Sequence, residues 1–405
     1  MLEPFYNPSS VLSEPLASMT IALLLENKTY FDPKNPTTKK PSRYEHILKI
    51  FGREYFLFEQ GGQSAIRRDR KGLGLLMEAR NIIQGSVGDC YFMSAIAGVV
   101  EHYPELIYRL FVLDRNPASI YGIRLFIDGM WETVITDACF PINQYGHFLF
   151  AKPHNLEIWV MLLEKAWAKI YGSYENIHAG FNDEGLTALT GAPCEQLLSD
   201  ADGTLEKLKI YLKKGYIVST SASDMIGQMS EREQEQMGIF SGHAYSVLKI
   251  ESDLTFRDKK ITLVRIRNPW GSKEWKGDWS FNSPLWTSDL RDRLNYNRNP
   301  NDGSFFMSMS DFLVYFYRIT VCYVSLGKVH SHIKLESDRT HSVMVAFTVK
   351  TRGDYFISLY QENRRKYQQS SNYKLSKSRL FLARSVGGHI EAIASKACMS
   401  ENLHL

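Results

Sequence analysis

Cys90 is the residue of this chain whose surroundings point most directly to chemistry. It directly follows a run that contains Gly85 and Gly88, and the residue before it, Asp89, is of a type that often caps a helix. Cys90 is therefore predicted in a first helical turn, where the helix dipole favours the reactive thiolate and lowers the thiol pKa. The side-chain amide of Gln84, six residues upstream, could donate to an oxyanion at the same helix start. A lone cysteine is usually a structural thiol, but this combination favours a nucleophile.

His243 and Asn268 are the candidate partners of this thiol. His243 follows a glycine at the start of a strand-like run and lies about 150 residues after Cys90, a separation that papain-like enzymes also have. Asn268 ends the next such run, and Pro269 biases it towards an extended backbone. Its amide oxygen could accept a hydrogen bond from the imidazole, while Trp270 covers that bond from water. A strand-end histidine is usually structural and Asn-Pro is usually a turn, but the order Cys, His, Asn favours a catalytic triad.

Two helical patterns and three strand patterns would position these side chains. Apolar residues recur at helical spacing from Cys90 to Val100 and from Ile158 to Tyr171. Short β-branched or aromatic runs at residues 216–220, 244–250 and 261–266 predict strands. Because helices come first and strands second, we expect an α+β fold of two lobes with a cleft between them.

Shifts in composition along the chain predict its domain organisation. Six of the fourteen prolines lie in the first 41 residues, which predicts an irregular extension over residues 1–50. A helix-rich lobe over residues 51–191 and a strand-rich lobe over residues 192–328 would follow. Apolar residues then alternate with period two, which predicts a small antiparallel β module over residues 329–405.

Composition and charge exclude several classes of protein. Hydrophobic residues are 44% and charged residues 23% of the 405, as in folded globular chains and unlike disordered or collagen-like ones. The net charge of +4 is too diffuse to indicate nucleic-acid binding. No apolar run reaches the ~18 residues of a membrane span, the first residues lack the basic stretch of a signal peptide, and five irregularly spaced cysteines do not indicate a disulfide framework. We therefore expect an intracellular, cytoplasmic protein.

The candidate motifs resemble those of the calpain family of cysteine proteases. The matching segments surround the three candidate triad residues and include one helical pattern with the run after it: residues 84–91, 242–247, 266–271, 162–166 and 171–175. The resemblance extends over residues 75–325, and the three triad segments together are highly specific. A weaker match at residues 357–365 resembles the β-sandwich that follows the calpain protease core.

This resemblance implies a two-lobed papain-like core and a cysteine endopeptidase that performs limited intracellular proteolysis through an acyl-enzyme. Cys90 would be the nucleophile, His243 the general base and then acid, and Asn268 the residue that orients the imidazole. Gln84 and the backbone N–H of Cys90 would form the oxyanion hole, and Trp270 would shield the cleft.

Other positions depart from the family pattern. Tyr91 stands where the family usually has Trp, and it remains aromatic. No twelve-residue EF-hand loop occurs in the sequence, so the resemblance is to the non-conventional calpains. Conventional calpains also hold one calcium ion in each protease lobe, and three of the acids of those sites are retained here: Glu157, Glu274 and Asp302. Three others are replaced, by Asn81, Phe281 and Ser304. Because calcium binds through several carboxylates, these sites are predicted to be degenerate, and no cofactor other than calcium is implied.

The predicted partner is a polypeptide substrate, and no nucleic acid is expected. The basic cluster of Arg364, Arg365 and Lys366 could contact an anionic membrane or an acidic partner, with a solvated hairpin as the alternative. Two other functions stay open: a catalytically silent calpain-like scaffold, and an acyl-transfer enzyme on the same triad. The intact triad argues against the scaffold, and product analysis would separate hydrolysis from acyl transfer.

Overall fold

The structure is a computed structural model that describes a defined part of the chain. The described residues are 48–50, 53–59, 77–114, 120–143, 145–152, 157–222, 230–297, 302–327, 330–334, 351, 353, 355–367, 372–375, 378–386, 389–398 and 402–404.

The described residues contain both helices and strands. The α-helices are α1 (Cys90–His102), α2 (Pro104–Leu110), α3 (Trp159–Ile170), α4 (Asn182–Thr190), α5 (Thr204–Lys213), α6 (Glu231–Gln236), α7 (Ser288–Arg293) and α8 (Met309–Tyr315). The strands before residue 200 are β1 (Leu48–Ile50), β2 (Arg53–Glu59), β3 (Phe111–Leu113), β4 (Ile120–Ile127), β5 (Met130–Asp137), β6 (Cys139–Ile142) and β7 (Cys194–Leu198). The later strands are β8 (Ile217–Ser221), β9 (Ala244–Phe256), β10 (Lys259–Arg267), β11 (Ser304–Ser308), β12 (Arg318–Cys322), β13 (Ser358–Tyr360), β14 (Ser378–Val386), β15 (His389–Cys398) and β16 (Asn402–His404).

A six-stranded antiparallel sheet lies at the centre of the predicted strand-rich lobe. Its strand order is β11-β10-β9-β8-β12-β7. One hydrophobic cluster joins Val218 of β8, Val247 of β9 and Phe305 of β11 to Leu208 of α5 and Phe312 of α8. Burial of these apolar side chains on one face fixes the register of the sheet, because a shift by one residue would turn them to the other face.

Helix α1 packs against β8 and β9. The hydroxyl of Ser246 in β9 donates to the carbonyl of Ser94 in α1 at 2.8 Å. A Cβ at Gly98 of α1 would lie only 3.0 Å from a methyl carbon of Ile217 in β8. Small residues on α1 therefore let the helix that begins at Cys90 lie close to the sheet.

The part of the chain before β7 is helical but also contains two small sheets. Strands β3, β4 and β5 form one, and β1, β2 and β6 form the other. Helix α3 is buried from Trp159 to Ala168, and helix α4 approaches α1 so closely that a Cβ at Gly185 would lie 2.9 Å from that of Ala95. The helices and antiparallel sheets together confirm the predicted α+β class.

Strands β9 and β10 are longer than the apolar pattern predicted. They extend to residues 244–256 and 259–267 and are joined by a tight turn at Arg257 and Asp258, whose φ angles are 47° and 63°. The added residues are largely polar, and their backbone groups pair between the two strands. A search for apolar side-chain patterns cannot detect this backbone pairing. Helix α1 likewise continues past Val100, to His102.

The chain divides into two compact units. The larger contains the described residues of 9–126 and 131–324, and the smaller contains residues 127–130 and the described residues from 325 onward. In the smaller unit β13 pairs with β16 and β14 with β15, both antiparallel, and Lys366 of the basic cluster forms an ion pair with Asp128. Of the predicted irregular extension over residues 1–50, residues 1–47 lie outside the described residues and residues 48–50 form β1, and the predicted domain boundaries remain predictions. Among the helices that the structure describes, none combines the length and the apolar character needed to cross a bilayer.

Candidate active site

Cys90 is the first residue of α1, as the sequence predicts, and its side chain is partly exposed. The backbone N–H groups of Phe92 and Met93 donate to the carbonyl of Asp89 at 2.8 Å and 3.1 Å, which starts the helix. Asp89 occupies the N-cap position of α1, as its residue type suggests, but its carboxyl group makes no capping hydrogen bond. This side chain is instead fully buried and faces Glu164 of α3.

The pKa of the Cys90 thiol differs from the sequence-based prediction. Burial raises it to about 11, and the negative charge of Asp89 raises it as well, while the backbone N–H of Ala244 acts in the opposite direction. The helix dipole alone favours the thiolate, but removal of the anion from water outweighs it here. Ala244 directly follows His243, so the hydrogen bond to its N–H brings the thiol to the start of β9.

His243 is buried and bonded to Asn268. Its Nε2 lies 2.8 Å from Oδ1 of Asn268, and that oxygen also accepts the backbone N–H of Trp270 at 3.0 Å. The amide nitrogen of Asn268 donates to the carbonyl of Lys273 at 3.2 Å. Because these bonds fix Oδ1 as the acceptor, Nε2 must carry the proton and Nδ1 is left as the basic nitrogen. Burial lowers the pKa of His243 to about 4, although the bond to Asn268 acts in the opposite direction.

Aromatic rings surround the imidazole. The ring centroid of Trp270 lies 4.2 Å and that of Tyr245 4.9 Å from the centroid of His243. Phe240 contacts Trp270 at 4.7 Å, and its backbone N–H donates to the Tyr245 hydroxyl at 3.0 Å. His243 and Asn268 are both buried, and the aromatic surroundings lower the local dielectric around the hydrogen bond between them, which strengthens that bond.

Two hydrogen bonds join the segment before Cys90 to the turn that holds Asn268. The backbone N–H of Gln84 donates to the carbonyl of Pro269 at 3.0 Å, and the guanidinium of Arg267 donates to the carbonyl of Ile82 at 2.6 Å. Arg267 is 1% exposed, and burial lowers its pKa to about 10. The sequence analysis gave Arg267 no role, since nothing local indicates that its side chain reaches residue 82.

The side chain of Gln84 is buried within the loop that precedes Cys90. Its nitrogen donates to the carbonyl of Val87 at 2.8 Å, so one of its two N–H groups serves the loop. The backbone at Gly85 lies so close to Phe150 that a Cβ there would be 2.0 Å from the carbonyl oxygen of Phe150. The loop is therefore closely packed, and the oxyanion role of Gln84 remains a prediction.

Tyr91 and His178 are site residues whose roles the sequence analysis missed. The Tyr91 hydroxyl, on a side chain only 1% exposed, donates to the carbonyl of Ile177 at 3.2 Å and accepts the indole N–H of Trp167 at 3.0 Å. His178 Nδ1 accepts the backbone N–H of Gly88 at 3.2 Å. These contacts hold residues 177–178 against Gly88 and Tyr91, on either side of Cys90. Because the partners are almost ninety positions apart in the sequence, local residue spacing cannot predict these contacts.

Glu157, the acid retained in the first predicted calcium site, is engaged by nitrogen donors. The side-chain nitrogen of Asn81 donates to Oε2 of Glu157 at 3.0 Å, and the indole N–H of Trp159 donates to the same oxygen at 3.3 Å. An amide N–H directed at the carboxylate occupies the side from which a cation would approach. These residues do not fit a calcium ion, which needs several oxygen ligands directed inward.

The second predicted calcium site does not fit the ion either. Glu274 accepts the backbone N–H of Gly303 at 3.2 Å, and Asp302 accepts that of Ser304 at 2.9 Å. Phe281 contributes no oxygen, and its ring instead contacts Tyr296, with centroids 5.3 Å apart. Within the part of the chain that the structure describes, no group of three or more His, Cys, Asp or Glu residues could hold a metal ion.

Comparison with known proteins gives a family for this fold and site. The family model for calpain family cysteine proteases matches residues 70–323, more than half of the chain. The calpain-type cysteine protease DEK1 of Arabidopsis thaliana is 35% identical over 258 residues, which cover 60% of this chain and 11% of that protein. Calpain-12 of Mus musculus is 33% identical over 259 residues, covering 62% of this chain and 35% of that protein.

The calpain-2 catalytic subunit of Rattus norvegicus is 35% identical over 250 residues, covering 60% of this chain and 35% of that protein. The matched segment thus spans 11% of the plant relative and 35% of these animal relatives. The extent of the family match, together with the α+β fold, shows that the chain belongs to the calpain family of cysteine proteases.

Proposed function

We propose that this chain is a calpain-type cysteine endopeptidase that hydrolyses peptide bonds of extended polypeptides through Cys90, His243 and Asn268. The observation that carries the proposal is the 2.8 Å bond between His243 Nε2 and Asn268 Oδ1, which leaves Nδ1 as the base. The hydrogen bond between the Cys90 thiol and the N–H of Ala244 supports it, because Ala244 directly follows His243 in the chain.

The first half of the proposed reaction forms an acyl-enzyme. Nδ1 of His243 takes the thiol proton as the sulfur of Cys90 attacks the carbonyl carbon, and the carbonyl electron pair moves to oxygen. The backbone N–H of Cys90 and the amide of Gln84 would donate to this oxyanion. When the oxyanion collapses, the carbon–nitrogen bond breaks and the imidazolium gives its proton to the leaving amine.

The second half returns the enzyme to its starting state. Nδ1 removes a proton from water as the water oxygen attacks the thioester carbon, and collapse of that intermediate releases a carboxylic acid. The sulfur leaves and regains its proton from the imidazolium. Since burial disfavours both the thiolate and the imidazolium when each is alone, we propose that the two charges form together at the moment of attack.

The test is cleavage of casein by the purified chain, with new amino termini labelled and quantified. We expect Cys90→Ala to abolish cleavage while the thermal melting curve stays unchanged, because alanine is well accepted at a helix start. Cys194→Ala, which removes a buried thiol in β7, is the matched control and should retain activity.

Three outcomes would argue against the proposal. Cys90→Ala activity within about tenfold of wild type would exclude Cys90 as the nucleophile. Incorporation of an added amine without new amino termini would indicate acyl transfer, and neither product from the folded wild type would indicate a scaffold.

A further inference from the structure

Asp89 and Glu164 form a pair of buried carboxyl groups next to the nucleophile. Asp89 is 0% and Glu164 1% exposed, and Asp89 directly precedes Cys90. Glu164 comes from α3, so the pair links this helix to the start of α1. The proposed reaction uses neither side chain.

Among the residues that the structure describes, no cation forms an ion pair with either carboxyl of this pair. Lys165, the next residue of α3, is bound to the carboxylate of Asp137 and to the carbonyl of Cys139. The backbone N–H of Ala151 donates to both oxygens of Glu164 at 3.0 Å. The Asp89 carboxyl faces the carboxyl of Glu164, the amide of Gln84 and its own backbone N–H, and among the described residues neither of its oxygens has a further hydrogen-bond partner.

Two ionised carboxylates cannot hydrogen bond to each other, because neither has a proton to donate. Both would also be buried like charges side by side, an arrangement that favours retention of one proton. The start of α1 and the Gln84 amide both lie next to Asp89 and stabilise a negative charge there. We therefore assign the negative charge to Asp89 and the proton to Glu164. Burial raises the pKa of Asp89 to about 7 and that of Glu164 well above its ordinary value.

Building on the proposed function, we propose that Asp89 and Glu164 share one proton and act as a positioning pair for the nucleophile. The Glu164 hydroxyl donates to the Asp89 carboxylate and holds the loop of residues 84–89 against α3. The pair then places one negative charge beside the Cys90 thiol instead of two.

Several other titratable groups face the pair. The Cys90 thiol lies on α1, and the buried phenol of Tyr174 faces both carboxyls from the segment after α3. Asp137, at the end of β5, also faces that phenol and is neutralised by Lys165. Tyr174 is neutral because burial raises its pKa, so its charge does not change near neutral pH.

The pair predicts how stability depends on pH. A carboxyl whose pKa is raised on folding contributes stability that is present at low pH and is lost as the pH rises through its folded pKa, which is about 7 for Asp89 and well above the ordinary value for Glu164. Loss of the shared proton would leave two buried anions that repel each other and loosen the loop. The thiol of Cys90 would then face a second negative charge and ionise less readily.

Glu164→Gln tests this proposal, because its amide donates to Asp89 but cannot lose a proton. We expect the melting temperature of this variant, measured relative to wild type, to rise by about 2–4 °C between roughly pH 6 and pH 9. Above about pH 8, iodoacetamide should alkylate its Cys90 about threefold faster than in wild type, as quantified by mass spectrometry of the Cys90 peptide. Glu105→Gln makes the same change at an exposed position and should follow wild type at every pH.

Further variants separate a shared proton from simple packing. Glu164→Leu removes the donor and should lower the melting temperature throughout the pH range, while Asp89→Asn should reduce the pH dependence as Glu164→Gln does. The proposal is wrong if Glu164→Gln parallels wild type at every pH, or if it fails to fold, since its amide supplies the donor that the proton supplies. Melting and alkylation need no substrate, so they test the pair even if the chain proves not to cleave proteins.

Discussion

In the proposed mechanism, Asn268 determines which nitrogen of His243 acts as the base. Its Oδ1 accepts from both the imidazole and the backbone N–H of Trp270, and its nitrogen donates to Lys273, so the amide has one orientation. The imidazole tautomer is therefore set before any substrate arrives. This preorganisation is the contribution that a variant at Asn268 would remove.

Asn268→Ala should lower kcat/KM by roughly 10- to 1,000-fold without abolishing turnover, because His243 loses its orientation but keeps its proton chemistry. Trp270→Ala should act in the same direction by admitting water to the bond between the two side chains. Initial rates on a fluorogenic peptide measure both effects, and Asn297→Ala, at an exposed position, is the control. A kinetically silent Asn268→Ala would mean that another residue orients the imidazole.

The pKa of His243 also leads to a prediction for the acid limb of the dependence of kcat/KM on pH. Burial lowers its pKa to about 4, so the imidazole stays neutral between pH 5 and 6, where an ordinary histidine becomes protonated. We expect the acid limb of kcat/KM to have its midpoint nearer 4 than 6.5, measured over a pH range in which the melting curve shows a folded protein. An acid midpoint at or above 6.5 would contradict this assignment.

At the scale of elements, two segments must meet around the start of α1. The segment after α3 supplies the Ile177 carbonyl and the His178 ring, and α3 itself supplies Trp167 and Glu164. Tyr91 has a physical role that tryptophan could not fill in the same way, because its hydroxyl both donates and accepts.

Tyr91→Phe leaves the indole N–H of Trp167 and the carbonyl of Ile177 without this partner. We expect a loss of about 1–3 kcal/mol in the free energy of unfolding, with a smaller effect on kcat/KM because the ring remains. Denaturant unfolding measures the first quantity, and Tyr145→Phe, on a ring that is 74% exposed, is the control. Equal stability of wild type and Tyr91→Phe would show that the hydroxyl is not needed.

The elements show which features a sequence can predict. The starts of α1 and β9, and the residues Cys90, His243 and Asn268, follow from local patterns of glycine, proline and apolar residues. The burial of Asp89 against Glu164 does not, because it depends on where α3 packs, and it leaves the Asp89 side chain without a capping hydrogen bond. The burial of the Cys90 thiol is likewise a property of the packed fold, and it outweighs the dipole effect on the thiol pKa. The extra length of β9 and β10 was missed for a related reason, since backbone pairing continues where side chains are polar.

At the scale of the whole molecule, the comparisons establish the family, whereas the dependence on calcium has to be argued from this chain's own residues. Asn81 directs an N–H group at Glu157, and Phe281 lies with its ring against Tyr296. These contacts stabilise the protein without an ion. We therefore expect a weaker calcium dependence than in the conventional calpains.

Proteolysis in chelator should stay within about threefold of that in excess calcium. Asn81→Asp should change this, because the new carboxylate faces Glu157 without an N–H donor and repels it unless a cation is bound. Thermal melting with and without calcium would reveal a calcium-induced gain in this variant that is absent in wild type. Negligible wild-type activity in chelator with a sharp rise at micromolar calcium would contradict the prediction.

The position of β12 in the central sheet has a consequence for the order of events during synthesis. This strand, Arg318–Cys322, lies between β7 and β8, although it is the last of the six to be made, and Gly303 supplies the carbonyl that accepts the backbone N–H of Asn268. Cys90 therefore leaves the ribosome more than two hundred residues before its partners can be fixed in place, an interval on the order of 10–50 s at usual elongation rates. During that interval the growing chain carries its thiol without the sheet that would hold His243, so under the proposed mechanism we expect it to be unable to cleave its own unfolded segments or neighbouring chains.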